Sequence, residues 1–217
     1  MATTLKAVLF DLDGTFADTA PDLARALNMM RASRGLEPVA AQATRPVTSM
    51  GARGMLSVGF SMTPDHADYA AMRAEFLELY ENNLCVETCL FPGMSELLDE
   101  IEARSIKWGI VTNKATRYAN PLMERLEVAR RCACVVGGDT TPHLKPHPAP
   151  LIEASRLLDI DPATAIYIGD DRRDIEAGRA AGMRTIAVRY GYLNGGVPET
   201  WGADAVVDCP QDVIAHL

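Results

Sequence analysis

The sequence lacks any apolar stretch long enough to cross a lipid bilayer, although 48% of its residues are hydrophobic. Its first residues, Met1–Lys6, lead directly into a short apolar run and do not contain the longer apolar segment of a secretory signal. These absences argue against a membrane protein or a secreted protein. We therefore expect a cytoplasmic globular protein of 217 residues.

Basic residues are outnumbered by acidic ones, and the cysteines show no metal-binding spacing. The chain has 21 lysine and arginine residues against 29 aspartate and glutamate residues, which gives a net charge of −8 at pH 7. Because the phosphate backbone repels an acidic protein, nucleic-acid binding is not expected. The five cysteines form no CxxC pair, and the four histidines show no spacing typical of metal ligands. Neither a zinc site nor a disulfide framework is predicted.

What the sequence does contain is a regular alternation of short apolar runs with amphipathic helical patterns. The apolar runs predict strands at Ala7–Phe10, Lys107–Thr112, Ala133–Val136, Ala165–Gly169, Thr185–Val188 and Ala205–Val207. Helical patterns lie between them, at Ser95–Arg104, Ala115–Leu126, Ala149–Leu158 and Asp174–Ala181. Such alternation is typical of proteins in which right-handed crossovers build a parallel sheet with helices on both faces. The predicted fold class is α/β, with a Rossmann-like parallel sheet core.

Residues 17–88 interrupt this alternation. Helical patterns occur within them at Pro21–Arg34 and Asp65–Leu84, and no strand is predicted there. We interpret residues 17–88 as a small all-helical cap domain inserted after the first strand. Residues 1–16 and 89–217 then form the core domain.

Chemically active side chains are concentrated where predicted strands end. Asp11 and Asp13 follow the first strand within the pentapeptide Asp-Leu-Asp-Gly-Thr. Two carboxylates this close repel each other unless a cation or a shared proton compensates. Later strand ends and helix starts supply further polar groups, namely Thr112, Asn113, Lys145, Asp170 and Asp171. Because ligands of open α/β folds bind at the carboxyl edge of the sheet, these residues are predicted to form one site.

The same ordered segments resemble the four motifs of the haloacid dehalogenase-like (HAD) hydrolases. The resemblance lies in Asp11–Thr15, Thr112-Asn113, Lys145-Pro146 and Gly169–Asp171, and it extends over nearly the whole chain. A further segment, Phe91-Pro92-Gly93, is similar to the phosphoglycolate phosphatase-like branch of that family. The resemblance implies a Mg²⁺-dependent phosphatase that forms an aspartyl-phosphate intermediate, with residues 1–16 and 89–217 as its HAD-like catalytic core.

The resemblance also implies a role for each residue at the phosphate. Asp11 would attack the phosphorus, and Asp13 would protonate the leaving group and later activate water. Thr112 and Asn113 would bond the phosphoryl oxygens, and Lys145 would offset their negative charge.

The implied Mg²⁺ ion would be held by Asp11, by the main-chain carbonyl of Asp13 and by Asp170, because this ion prefers oxygen ligands. Asp174, one helical turn beyond Asp170, is expected to orient either water at the metal or the side chain of Lys145. The alternative for Asp174 is a favourable charge in the first turn of a helix. Asp171 is interpreted as a capping or peripheral residue.

Several basic positions have open interpretations. Lys114 either faces the phosphate or begins an exposed helix, and Arg172-Arg173 is interpreted as a solvated face. Arg53, between Gly51 and Gly54, is the candidate in the cap for binding a substrate carboxylate or sugar hydroxyl. The alternative for Arg53 is an exposed arginine beside a helix start.

The expected substrate is a small phosphate ester, with 2-phosphoglycolate as the default of this branch. N-acetylmuramic acid 6-phosphate, an ester of cell-wall recycling, is the alternative, and the sequence does not decide between them. No lysine occurs between Lys6 and Lys107, which excludes the Schiff-base chemistry of phosphonate-cleaving relatives. Remote alternatives are a receiver-like domain, which has no cap after its first strand, and a non-catalytic phospho-binding domain, which would not require both Asp11 and Asp13. Either a monomer or a homodimer is compatible with the sequence.

Overall fold

The computed structural model describes residues 4–217. Met1, Ala2 and Thr3, which the sequence analysis assigned to the core domain, lie outside the described residues. The strands are β1 (Ala7–Phe10), β2 (Ala17–Asp18), β3 (Cys89–Leu90), β4 (Lys107–Val111), β5 (Cys134–Val136), β6 (Ala165–Gly169), β7 (Arg184–Val188) and β8 (Ala205–Val207). The α-helices are α1 (Ala20–Ala32), α2 (Ala41–Thr44), α3 (Gly51–Phe60), α4 (Tyr69–Asn82), α5 (Met94–Ala103), α6 (Thr116–Arg125), α7 (Ala149–Leu158) and α8 (Arg172–Ala180). No helix in this part of the chain has both the length and the apolar character that crossing a membrane requires.

Six of the strands form one parallel sheet in the order β5-β4-β1-β6-β7-β8. The central strand, β1, is fully buried, and its side chains alternate between two hydrophobic clusters. Val8 and Phe10 pack with side chains of α5 and α6, whereas Ala7 and Leu9 pack with side chains of α7 and α8. Helices therefore cover both faces, and the predicted α/β class with a Rossmann-like sheet is confirmed.

The strand order reverses at β1, which has β4 on one side and β6 on the other. These three strands end side by side at the carboxyl edge of the sheet. A reversal of this kind opens a crevice at that edge, because the loops that follow the neighbouring strands run in opposite directions. Asp11, Thr112 and Asp170 each come directly after one of these strands.

Helices α1–α4 all lie between β2 and β3 in the chain. They pack through apolar side chains such as Leu27, Met55 and Phe76, each of which is fully buried. The sequence pattern predicts no strand in this segment, but the structure has β2, which pairs antiparallel with β3. Two residues are too short to show a period-two pattern, which explains the difference. The division into a core and a cap at residues 17 and 88 stays a prediction.

Candidate active site

A buried lysine links the ends of three elements at the carboxyl edge of the sheet. Lys145 Nζ donates to Asp11 Oδ1 at 2.8 Å and to the main-chain oxygen of Val111, the last residue of β4, at 3.0 Å. The same ammonium forms an ion pair of 2.7 Å with Asp174 in α8. The Lys145 side chain is only 3% exposed. Burial disfavours its charge, but Asp11 and Asp174 together raise the pKa of Lys145 above its ordinary value.

Three buried carboxylates lie close together at this site, where Lys145 contributes one ammonium group. One oxygen from each of Asp11, Asp170 and Asp174 lies within 4.8 Å of the others, and all three residues are buried. Burial raises the pKa of Asp11 to about 7; Lys145 lowers it in part and Asp174 raises it further. Burial, together with the charges of Asp11 and Asp174, raises the pKa of Asp170 well above its ordinary value. This excess of buried negative charge on oxygen donors fits a divalent cation of the Mg²⁺ type.

Asp170 is held in place by donors from two loops. Thr15 Oγ1 donates to Asp170 Oδ1 at 3.1 Å, and the main-chain N–H of Tyr192 donates to Asp170 Oδ2 at 2.8 Å. Gly14 makes this close approach possible, because its φ is +90° and a Cβ there would lie 2.2 Å from Asp170 Oδ2. The glycine of the Asp-Leu-Asp-Gly-Thr segment is thus required by a contact across the sheet as well as by the turn.

The side chain of Asp13 does not belong to the acidic cluster. Its Oδ1 accepts hydrogen bonds from Thr19 Oγ1 at 2.5 Å and from Lys114 Nζ at 2.7 Å. The Lys114 side chain is 8% exposed, and its ammonium lies 4.9 Å from the centre of the Tyr80 ring. Of the two interpretations of Lys114, the exposed helix start is therefore wrong. Coordination of a metal by the main-chain carbonyl of Asp13 stays a prediction.

Asn113 positions the loop that carries Lys145. Its Nδ2 donates to the main-chain oxygen of Lys145 at 3.1 Å, and its Oδ1 accepts the main-chain N–H of Lys145 at 2.9 Å. Both polar atoms of the carboxamide are engaged in this way, but the second N–H of Nδ2 stays available, and the predicted contact with a phosphoryl oxygen stays a prediction. Thr112 is buried, and its hydroxyl accepts the main-chain N–H of Lys114 at 3.2 Å, so the hydroxyl hydrogen remains for another acceptor.

Tyr167 is a member of the site that the sequence analysis missed. Its hydroxyl accepts a hydrogen bond from Lys145 Nζ at 2.7 Å and donates to the main-chain oxygen of Val111 at 2.8 Å. It lies in the middle of β6 and is fully buried. A tyrosine in an apolar run is indistinguishable in sequence from a core residue, so no signal pointed to this contact.

Asp171 and Arg173 connect α8 to the segment before α3. Asp171 caps α8 by accepting the main-chain N–H of Arg173 at 2.9 Å, as the sequence analysis expected. The prediction of a solvated face is wrong for Arg173, whose guanidinium bonds both oxygens of Asp171, at 2.8 and 2.9 Å. It also donates to the main-chain oxygen of Ser49 at 3.1 Å. Although burial opposes it, this double contact lowers the pKa of Asp171.

A cavity of about 570 Å³ extends from Asp11 and Lys145 to the helices of the predicted cap. Its lining includes three arginines on three different helices: Arg53 on α3, Arg73 on α4 and Arg117 on α6. Each of the three is exposed, and none forms an ion pair within residues 4–217. Aromatic side chains line the same cavity, among them Tyr69, Phe76, Tyr80 and Tyr118. The cavity can therefore hold an organic group that carries both apolar surface and negative charge.

The chain is similar to several known proteins. It matches the family described as Haloacid dehalogenase-like hydrolase over residues 8–188. It is 48% identical to the N-acetylmuramic acid 6-phosphate phosphatase of Pseudomonas putida, over 96% of this chain and 94% of that protein. It is 43% identical to the phosphoglycolate phosphatase of Xanthomonas campestris, with the same coverage of 96% and 94%. Among solved structures, a predicted phosphoglycolate phosphatase from Haemophilus somnus has a similar fold, with a TM-score of 0.86 and 24% identity over 100% of this chain and 99% of that one.

Proposed function

Because the chain belongs to the haloacid dehalogenase-like hydrolases, we propose that it is a Mg²⁺-dependent phosphatase that hydrolyses a small phosphate monoester. The observation that carries the proposal is the buried contact between Asp11 and Lys145, 2.8 Å long, in a cavity that is also lined by Thr112. This arrangement offers a carboxylate nucleophile together with donors for the oxygens of a phosphoryl group.

Asp11 attacks the phosphorus, so that an Asp11–phosphorus bond forms while the bond from phosphorus to the ester oxygen breaks. The leaving alkoxide takes a proton from Asp13. Both hydrogen bonds to the Asp13 side chain use Oδ1, and Oδ2 has no partner within residues 4–217, so we assign the transferred proton to Oδ2. In the second step Asp13 takes a proton from water, which attacks the phosphorus and releases Asp11.

The same proposal assigns Mg²⁺ to Asp11, Asp170 and the main-chain carbonyl of Asp13. The cation supplies positive charge next to a phosphoryl dianion and the ionised acids. Asp174 acts through Lys145, with which it forms an ion pair of 2.7 Å. Lys145, the hydroxyl of Thr112 and the second N–H of Asn113 Nδ2 bind the phosphoryl oxygens.

For the rest of the substrate we propose N-acetylmuramic acid 6-phosphate, with 2-phosphoglycolate as the second candidate. Two observations support this order. The cavity of about 570 Å³, with aromatic walls and three arginines outside ion pairs, suits a sugar bearing a carboxylate better than a two-carbon acid. The relatives from Pseudomonas putida and Pseudomonas aeruginosa that are named for this sugar phosphate are 48% and 46% identical to the chain. Arg53 is assigned to the substrate carboxylate or a sugar hydroxyl.

The test is hydrolysis of p-nitrophenyl phosphate with Mg²⁺ and with EDTA, followed by kcat/KM for the two candidate esters. We expect activity only with Mg²⁺, and a kcat/KM at least about tenfold higher for the sugar phosphate, since its extra contacts contribute to the transition state. The reverse ranking would make 2-phosphoglycolate the substrate. Absence of hydrolysis of all three esters with Mg²⁺ would contradict the proposed reaction.

Two further parts of the proposal concern the protein as a whole. We assign it to the cytoplasm, which fractionation of cells that produce the tagged protein tests. We expect a monomer or a homodimer, which light scattering after size-exclusion chromatography distinguishes from larger assemblies.

A further inference from the structure

The hydroxyl of Tyr192 caps the first helix after β2. Tyr192 lies in the loop that follows β7, and its side chain is buried. Its Oη accepts the main-chain N–H of Thr19 at 2.8 Å and of Ala20 at 2.9 Å, and donates to Asp18 Oδ1 at 2.9 Å. The N–H groups at the start of a helix have no partner within it, and usually the side chain of the preceding residue accepts from them. Thr19 makes no such bond here, so a residue distant in sequence caps α1 instead.

The hydroxyl of Thr19 makes no capping bond to its own helix and contacts the active site instead. Thr19 Oγ1 donates to Asp13 Oδ1 at 2.5 Å. Thr19 thus links two residues. Its main-chain N–H is bonded to the hydroxyl of Tyr192, and its own hydroxyl is bonded to Asp13. A shift of the Thr19 main chain would move the hydroxyl that orients the proposed general acid.

The main chain of Tyr192 is tied to the acidic cluster at the same time. Its N–H donates to Asp170 Oδ2 at 2.8 Å. The preceding residue, Gly191, leaves no space for a side chain, because a Cβ there would lie 2.2 Å from the Cβ of Asp170. The loop is therefore held close to Asp170 independently of the tyrosine ring.

A second contact joins the ring of Tyr192 to the segment between α2 and α3. The guanidinium carbon of Arg45 lies 5.2 Å from the centre of the Tyr192 ring, and Arg45 also bonds both oxygens of Asp18, at 3.0 and 2.9 Å. Tyr192 thus contacts the core at Asp170 and two parts of the predicted cap. These are the first residues of the cap, Asp18–Ala20, which we call the linker, and Arg45.

We propose that Tyr192 is a positioning residue that ties the linker into α1 to the core loop at Asp170, and thereby sets the position of Asp13. The part that concerns catalysis rests on the proposed phosphatase function. The hydroxyl does not touch the reacting atoms. It acts through Thr19, and the expected consequence of losing it is a slower chemical step with an intact metal site.

The experiment compares Tyr192→Phe with the wild type and with Tyr190→Phe. Tyr190 lies in the same loop, and its hydroxyl donates to the main-chain oxygen of Thr15 at 3.0 Å, so its removal controls for the loss of one hydrogen-bonded tyrosine hydroxyl. Amide hydrogen exchange, measured without metal, should be at least about tenfold faster at Thr19 and Ala20 in Tyr192→Phe but not in Tyr190→Phe. With Mg²⁺, Tyr192→Phe should lower kcat for p-nitrophenyl phosphate about tenfold while leaving its KM and the Kd for Mg²⁺ unchanged.

A second variant, Thr19→Val, separates the tie between linker and loop from the link to Asp13. It removes the bond to Asp13 and leaves both main-chain bonds to Tyr192, so it should lower kcat without faster exchange at Ala20. Unchanged exchange in Tyr192→Phe would overturn the tie between the linker and the loop. Faster exchange with an unchanged kcat would overturn the link to Asp13. The exchange measurement needs no substrate. It therefore tests the contact between the linker and the loop even if the wild type hydrolyses no ester. In that case the proposed function fails and the result for the contact still stands.

Discussion

Lys145 Nζ lies 2.7 Å from Asp174 Oδ1, and the other oxygen of that carboxylate accepts the main-chain N–H of Asp171 at 3.0 Å. Asp174 therefore fixes both the ammonium and the turn that follows Asp170. We expect Asp174→Asn to weaken Mg²⁺ binding about 10- to 100-fold, as loss of a group that supports metal ligands commonly does. Isothermal titration with Mg²⁺ measures this change.

Asp171→Asn is the matched control for that variant. Asp171 is also an acidic residue of the same turn, but its carboxylate is paired with Arg173, at 2.8 and 2.9 Å, and lies outside the acidic cluster. Its Mg²⁺ affinity should stay close to that of the wild type. Equal losses of affinity in the two variants would show that Asp174 contributes only general negative charge.

Asp11→Asn should reduce kcat by at least about 1,000-fold, because an amide cannot form the acyl-phosphate. The substitution keeps the size of the side chain and removes one of three crowded carboxylates, so the fold should be retained. Steady-state kinetics on p-nitrophenyl phosphate and circular dichroism check both statements. Turnover near the wild-type rate would exclude covalent catalysis at Asp11.

The site could be predicted from sequence where its residues follow strand ends. Asp11, Thr112 and Asp170 come together because three neighbouring parallel strands end at one edge, and that relationship follows from the order of the apolar runs. Tyr167 and Tyr192 could not be predicted. Each is buried, and its function depends on a hydroxyl contact across more than 20 positions of sequence. Contacts between residues so far apart in the sequence depend on tertiary packing, which the local sequence pattern does not reveal.

Asp11 and Asp170 should make the metal-free protein less stable as pH rises from about 4 to about 7. The pKa of Asp11 is 3.8 in its ordinary state and about 7 in the folded protein, so the native state binds a proton that the unfolded chain releases in this range. The stability that Asp11 contributes is fully present below pH 3.8 and is lost as pH rises through about 7. The raised pKa of Asp170 changes stability in the same direction. The slope is up to about 1.4 kcal/mol per pH unit for each carboxyl.

Urea unfolding in EDTA at several pH values measures this loss of stability. The Asp11→Asn variant should show a shallower slope, because its side chain does not titrate. Saturating Mg²⁺ should reverse the trend, since the cation binds the ionised carboxylates of the folded protein. A slope that is the same in the wild type and in Asp11→Asn would contradict the raised pKa of Asp11.

Arg53→Ala should raise KM for a carboxylate-bearing ester about tenfold and leave its kcat nearly unchanged, because a charge-assisted contact far from the phosphorus contributes equally to ground and transition states. KM for p-nitrophenyl phosphate, which has no carboxylate, should not change. Arg34→Ala is the control, since Arg34 is a cap arginine already paired with Glu75 at 2.6 Å. Unchanged kinetics of Arg53→Ala on both candidate substrates would remove Arg53 from the site.

Gly14→Ala should destabilise the protein by more than a positive φ alone explains, and should also lower activity. Gly14 and Gly35 both have positive φ, +90° and +67°, but a Cβ at Gly35 would meet nothing within 4 Å, whereas at Gly14 it would lie 2.2 Å from Asp170 Oδ2. Gly35→Ala should therefore cost about 1–2 kcal/mol of unfolding free energy, which is the backbone penalty, and leave kcat and Mg²⁺ binding unchanged.

Gly14→Ala carries that penalty and must also displace a buried carboxylate of the acidic cluster, so it should lose more stability and bind Mg²⁺ more weakly. Urea unfolding and Mg²⁺ titration of the two variants separate these contributions. If both variants lost the same stability and both bound Mg²⁺ normally, the close approach of Gly14 to Asp170 would have no role in forming the site.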